Sequence, residues 1–324
     1  MKLQTEVVPQ IYNNHIDYSS RVSMLGSCFT ISIAQKLLER KFKINYNPLG
    51  TIYNPLSIVN TLKRLENGDH IEASELFFKN EVWGHFEFNT TFSNTDSTSA
   101  IETMNRSIDV GHKALVDSDF LIITLGTSRC YFKKSDSLPV NNCHKLPSDT
   151  FSHRLLTSNE TVDMFSELFS SEFYKSKNII FTVSPVRHIK DGLTANSVSK
   201  AHLLIAVSQL CHKFENVSYF PSYEIFNDEL RDYRFYNTDL IHPSDAGIQY
   251  VWERFASCMI SKPATFIMKE VEGIMRDFNH RPINIHSDSF IAFRDKLLTK
   301  ASALEKNFTT IDFSNEKEFS LVLK

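Results

Sequence analysis

The sequence predicts an α/β fold with three layers, α/β/α, around a parallel sheet. Short continuous apolar runs alternate with longer segments of helical spacing, and each run ends in a polar or glycine-bearing turn. Continuous apolar runs mark strands buried on both faces, and parallel strands need crossover helices to cover those faces. Arg21 to Leu25 is the first run. Gly26-Ser27-Cys28 turns the chain, and Phe29 to Arg40 then spaces Phe29, Ile33, Ala34, Leu37 and Leu38 as one helix face. Lys43 to Tyr46 is a second strand ending in Asn47-Pro48-Leu49-Gly50, and Pro55 to Leu65 resumes helical spacing. Asp119 to Thr124 is a third strand, running into Leu125-Gly126-Thr127-Ser128. A fourth, Asn178 to Val183, ends at Ser184-Pro185-Val186-Arg187-His188 and precedes a helix from about Ser197 to Phe214. Val217 to Pro221 is the fifth, and from Pro243 the pattern is helical through Ile248, Val251, Trp252 and Phe255.

About five parallel strands in this order describe a flavodoxin-like sheet. Residues 89–99, rich in Ser, Thr and Asn, and 133–147, polar and turn-rich, read as long loops or insertions over one sheet edge. After Lys262 the strands stop, and two amphipathic stretches follow, Thr265 to Asn279 and Ser287 to Lys306, divided by Arg281-Pro282. The expected division is therefore an α/β domain over residues 1–262 and a C-terminal helical extension over 263–324.

Composition bounds the function. The 324 residues are 42% apolar and 23% charged, with a formal net charge of -3, an ordinary globular balance. No basic block supplies the charge that dominates nucleic-acid affinity, so such a partner is not expected. No apolar run approaches the ~20 residues that span a bilayer, and MKLQTEVVPQ lacks a signal-peptide layout, so a soluble cytoplasmic protein is expected. The 5 cysteines are scattered without a CxxC pair and read as reduced thiols. Oligomeric state is not legible.

In a doubly wound sheet, ligands bind beyond the carboxyl ends of the strands, so the polar residues there are the chemical candidates. Ser27 follows a strand and opens a helix, where helix-end amides could stabilise an oxyanion; serine is equally a preferred N-cap. Adjacent side chains in such a turn point apart. With Ser27 toward the ligand, Cys28 is expected against the sheet, although a thiol at a helix N-terminus is itself a rival nucleophile. Asp239 stands three residues before His242, just ahead of a helix. That spacing lets the carboxylate hold Nδ1 and free Nε2 as a general base, while the plain alternative is an Asx-type turn with a surface histidine. Arg187 and His188 follow the fourth strand; Arg187 could clamp a substrate carboxylate or phosphate, or pair with Asp191 or Glu224. His85 could line a pocket or pack among Trp83, Phe86 and their neighbours. His85, Cys130, Cys143 and His144 raise a zinc alternative at irregular spacing. Arg231 to Arg234 are expected to brace the Asp239–His242 loop.

Gly26-Ser27-Cys28-Phe29-Thr30 resembles the GSCFA domain family, with Thr30 in place of the final alanine. Further stretches are similar to the same family, among them residues 47–55, 124–128, 142–144, 183–188, 199–201, 219–224, 231–236 and 239–243, so that the likeness runs from about Val7 to Ser261. The resemblance places the chain in the SGNH, or GDSL-like, hydrolase superfamily. It implies Ser27 as nucleophile, His242 as base and Asp239 as its orienting carboxylate. It also implies an oxyanion hole from the Ser27 amide, Gly50 and a third donor after the third strand, where Gly126-Thr127-Ser128 replaces the expected Gly-x-Asn and Ser128 could donate instead. The function expected from this is a serine-dependent esterase or deacetylase with no cofactor, and the superfamily-level expectation for its substrate is a carbohydrate ester. An acyltransferase with the same nucleophile and a non-enzymatic ligand-binding module are the alternatives.

Overall fold

A computed structural model describes residues 4–322. Its first half runs β1 (Arg21–Gly26), α1 (Cys28–Glu39), β2 (Lys43–Tyr46), α2 (Pro55–Asn67), β3 (Phe77–Lys79), β4 (Val82–Gly84), α3 (Ser97–Val116) and β5 (Phe120–Leu125). Then come β6 (Arg129–Lys133), β7 (Pro139–Val140), β8 (Phe151–Leu155), α4 (Ser158–Phe169), α5 (Glu172–Lys175), β9 (Asn178–Val183), α6 (Leu193–Lys213) and β10 (Val217–Tyr219). Helices complete the chain: α7 (Ser222–Glu224), α8 (Asp245–Met259), α9 (Lys262–Phe278), α10 (Asp288–Asn307) and α11 (Ser314–Val322).

The central sheet has five strands in the order β10-β9-β5-β1-β2, and every pairing is parallel. This is the α/β, three-layer, flavodoxin-like architecture expected. From β1 the chain steps outward to β2, then returns to the other side through β5, β9 and β10. The reversal opens a crevice beyond the carboxyl ends of β1 and β5, the position where such sheets bind ligands.

Alternation along the strands builds two cores. Val22, Met24, Phe120, Ile122 and Ile180 face one layer with α1 and α8, while Leu25, Leu121, Ile123, Phe181 and Val183 face the other with α2, α3, α4 and α6. Each such side chain contributes ~1.5–3 kcal/mol on burial. Ala264, Met268, Val271 and Ile274 of α9, with Leu297, Ala301 and Leu304 of α10, join the first core. The helical extension thus seals the face covered by α1. Arg40 pins it there, stacked 4.7 Å from the Trp252 ring centroid while its Nε donates to Glu272 at 2.7 Å.

Two segments differ from the sequence reading. The polar stretch 89–99 leads into α3, whose cap Asp96 accepts the Ser99 amide at 2.7 Å. The buried stripe of α3 is the sparse series Ala100, Met104, Ile108, Gly111 and Leu115, and with apolar Val110 and Val116 exposed off that stripe the helical period was hidden in the sequence. The stretch 133–147 lies within a three-stranded antiparallel sheet, β7-β6-β8. This insertion leaves from the middle strand β5, not from an edge, and closes where the Leu156 amide donates to the Ser128 carbonyl at 2.8 Å. It therefore stands beside the crevice.

Candidate functional site

The β1–α1 turn is built by Gly26. Its φ of +141° lies outside the range of L side chains, and its amide donates to Asn47 Oδ1 at 2.8 Å. Ser27, still extended, is the N-cap of α1, yet its hydroxyl makes no cap bond. Its side chain continues the strand's alternation inward: the residue is 1% exposed, and Oγ has no hydrogen-bond partner among the described residues. Cys28, the first helical residue, swings the other way and lines a cavity of about 350 Å³ together with His242, Arg187 and His188. The expected orientation of this pair is thus reversed. Cys28 faces the cavity and Ser27 lies beneath it.

Asp239 and His242 form the pair that their spacing implied. Nδ1 of His242 is 2.7 Å from Asp239 Oδ2, and the other carboxylate oxygen accepts the amides of Ile241 at 2.9 Å and His242 at 3.0 Å. The His242 amide and ring, with the Ile241 amide, hold the Asp239 carboxyl down at about 2. An ionised carboxylate at Nδ1 leaves Nε2 as the free, basic nitrogen. The intervening Leu240 adopts φ +59°, a strained conformation for a branched side chain, fixed by the bond from its own amide to Asn237 O at 2.9 Å. Tyr233, from the segment expected to brace this loop, and Tyr236, just beyond it, lie under the Arg187 guanidinium at 5.1 and 4.2 Å.

The expected oxyanion donors are all engaged inside the protein. The Ser27 amide donates to Thr124 O at 3.2 Å, the Gly50 amide to Asn47 O at 2.8 Å and the Gly126 amide to Tyr53 O at 2.8 Å. Ser128 is fully buried, with its amide and hydroxyl directed to Ser199 Oγ at 2.8 and 3.2 Å. The amides of Cys28 and Phe29 open α1 at its positive end, in the turn that carries the Cys28 side chain.

Arg187 pairs with neither carboxylate proposed for it. Asp191 is held by Arg129 at 2.8 Å, and Glu224 accepts the Tyr219 hydroxyl at 2.7 Å. His188 stacks edge-on to Tyr53 at 5.7 Å, and burial, with Lys200 and His242 nearby, lowers it to about 4, so its ring is neutral at pH 7. His85 does not line this cavity. It is buried against Phe88 at 5.7 Å, and burial lowers its pKa, the packing alternative. Among the described residues, no three His, Cys, Asp or Glu side chains converge to hold a metal, and His85, Cys130, Cys143 and His144 form no such set.

Lys200 escaped the sequence reading. Its Nζ, fully buried, donates at 2.6 Å to Gly126 O and at 2.6 Å to Ser184 O, tying together the carboxyl ends of β5 and β9. A sequence signal existed: position 200 falls on the same helical stripe as the buried Leu203, Val207 and Leu210, where a lysine is out of place. Burial lowers this amine to about 7, opposed by the nearby Cys28. An unfolded lysine keeps its proton up to ~10.4, so between about 7 and that value the unfolded chain binds the extra proton. Stability from this group therefore rises with pH across that window. Urea unfolding of wild type and Lys200→Met should show a stability difference that grows in favour of the wild type by up to ~1.4 kcal/mol per pH unit. A difference independent of pH contradicts an uncharged buried amine.

Fold and site together define a doubly wound α/β protein whose β1–α1 turn presents a thiol to the same cavity as an imidazole that a carboxylate holds from its far side. The chain belongs to the GSCFA family: the model of that family matches residues 21–255, all five parallel strands and the Asp239–His242 loop included. A second model, GSCFA domain protein, C-terminal domain, matches residues 271–320, within the helical extension. No curated protein matches the chain. Among the described residues no helix is long and apolar enough to cross a membrane.

Proposed function

We propose that this protein is an ester hydrolase of the SGNH, or GDSL-like, plan, working through a covalent acyl intermediate at the β1–α1 turn, and that Cys28 carries the acyl group. The observation behind this reading is that Cys28 and His242 line one cavity while Asp239 holds the far nitrogen of His242. Burial raises the Cys28 thiol above its usual pKa, so it rests protonated and needs a base at the moment of attack. His242 Nε2 takes that proton as sulphur bonds to the ester carbonyl carbon, and the helix-end amides receive the developing oxyanion. The tetrahedral species collapses by expelling the alcohol, which His242 protonates. Water, deprotonated by His242, then attacks the thioester, and the leaving sulphur regains its proton as the acid departs. Carbohydrate esters are the substrate class this superfamily plan points to, and transfer to an acceptor alcohol uses the same intermediate.

The orphaned Ser27 hydroxyl supports a second reading, with serine as the nucleophile after a small rotation of the turn. Incubation with 4-nitrophenyl acetate, followed by mass spectrometry of the trapped protein, separates the two. Cys28→Ala is expected to abolish both the burst of 4-nitrophenol and the acetyl adduct, whereas Ser27→Ala retains the adduct. The reverse pattern assigns the serine, and an adduct surviving in both variants sinks the covalent mechanism.

A further inference from the structure

The cavity is electrostatically one-sided. No carboxylate side chain lines it, yet two guanidiniums do, those of Arg129 and Arg187. Arg129 is neutralised by Asp191 at 2.8 Å. Arg187 is not: among the described residues, no carboxylate lies within salt-bridge distance of it. One face of its guanidinium stacks on Tyr236, whose hydroxyl it also approaches, and its hydrogen bonds to Tyr233 Oη at 3.4 Å and Leu240 O at 3.5 Å are long ones to neutral oxygens. Stacking fixes the plane while leaving edge N–H groups available, the arrangement that recognises a bidentate oxyanion.

We infer that the substrate carries a second, anionic group, a carboxylate or phosphate, which Arg187 receives while the ester faces Cys28. This rests on the hydrolase reading for what happens next, but not for the binding itself. An unneutralised charge in a cleft of low dielectric focuses field and concentrates anions.

Alkylation of Cys28 tests the inference without any turnover. Iodoacetate and iodoacetamide both transfer a group to sulphur with loss of iodide, and they differ in carrying or lacking the carboxylate. Relative to free cysteine, the wild-type protein should favour iodoacetate by roughly tenfold or more. The reaction should saturate, and Arg187→Met should lose the preference while Arg187→Lys keeps part of it. Acetate and inorganic phosphate are the competitors, and the one that protects Cys28 better identifies the anion class. Calorimetric titration of the wild-type protein with the same two anions needs neither a reactive thiol nor a folded variant, and binding of either supports the inference. A wild-type selectivity equal to that of free cysteine, with neither anion protecting or binding at millimolar concentration, overturns it. Ester turnover without anion preference defeats this inference alone, and anion preference without turnover defeats the hydrolase reading alone.

Discussion

His242→Ala is expected to lower 4-nitrophenyl acetate hydrolysis by ~10³-fold or more, the loss typical of removing a positioned general base. The reason is local. Burial keeps the Cys28 thiol protonated at neutral pH, so without an imidazole the proton must leave to water. The residual activity should then climb as pH rises through and beyond the ordinary thiol range near 9, because base in solution substitutes for the lost ring. Asp239→Asn should cost ~10²-fold, at the low end for a triad carboxylate since the Asp239 side chain is 45% exposed. Asparagine can still accept the Ile241 and His242 amides through Oδ1. Its NH₂ would then face Nδ1, favouring the tautomer with the proton on Nε2 and removing the base. Steady-state rates between pH 6 and 10 for the three proteins check this, and a His242→Ala enzyme with the wild-type pH profile removes His242 from the proton path.

Periodicity located the inner strands β1, β5 and β9 because each is a run buried on both faces, bounded by polar turns, while the half-buried edge strands β2 and β10 are legible from short apolar runs next to their turns. Lys43–Tyr46 and Asn178–Val183 appear in the structure with the ends read from sequence. The signal failed where burial is partial. The stripe of α3 is one residue wide, and β6 to β8 carry exposed or half-exposed positions such as Ser152, His153 and Arg154, so neither shows a period. At the site, the three-residue spacing of Asp239 and His242 was sufficient, because a pair within one tight loop is a local property. The orientation of Ser27 and Cys28 was not, since it depends on which residue takes the first helical dihedrals after Gly26. The oxyanion donors were equally out of reach. Whether the Gly50 or Ser128 amide is free depends on partners such as Asn47 and Ser199, and Ser199 lies 71 residues away from Ser128.

Gly26→Ala should destabilise the protein by ~3 kcal/mol or more, or prevent folding. Two penalties coincide. A φ of +141° is closed to alanine, and an added Cβ would stand 2.2 Å from the Thr124 carbonyl oxygen. That oxygen cannot move aside: Thr124 is the register partner of Gly26 within the middle strand of the sheet, and its carbonyl also accepts the Ser27 amide at 3.2 Å. Relief requires β1 to part from β5 at the crevice. Gly192 supplies the comparison, since it has a positive φ of +87° but nothing within 4 Å of the position its Cβ would occupy. Gly192→Ala should therefore show the dihedral penalty alone, ~1–3 kcal/mol. Urea denaturation of both variants separates sterics from dihedral strain. Where Gly26→Ala does fold, the displaced turn also shifts Cys28 relative to His242, so alkylation and ester turnover should fall together. A Gly26→Ala protein as stable as Gly192→Ala would mean that β1 and β5 do not meet closely at this turn, and the cavity drawn from that contact would have to be redrawn.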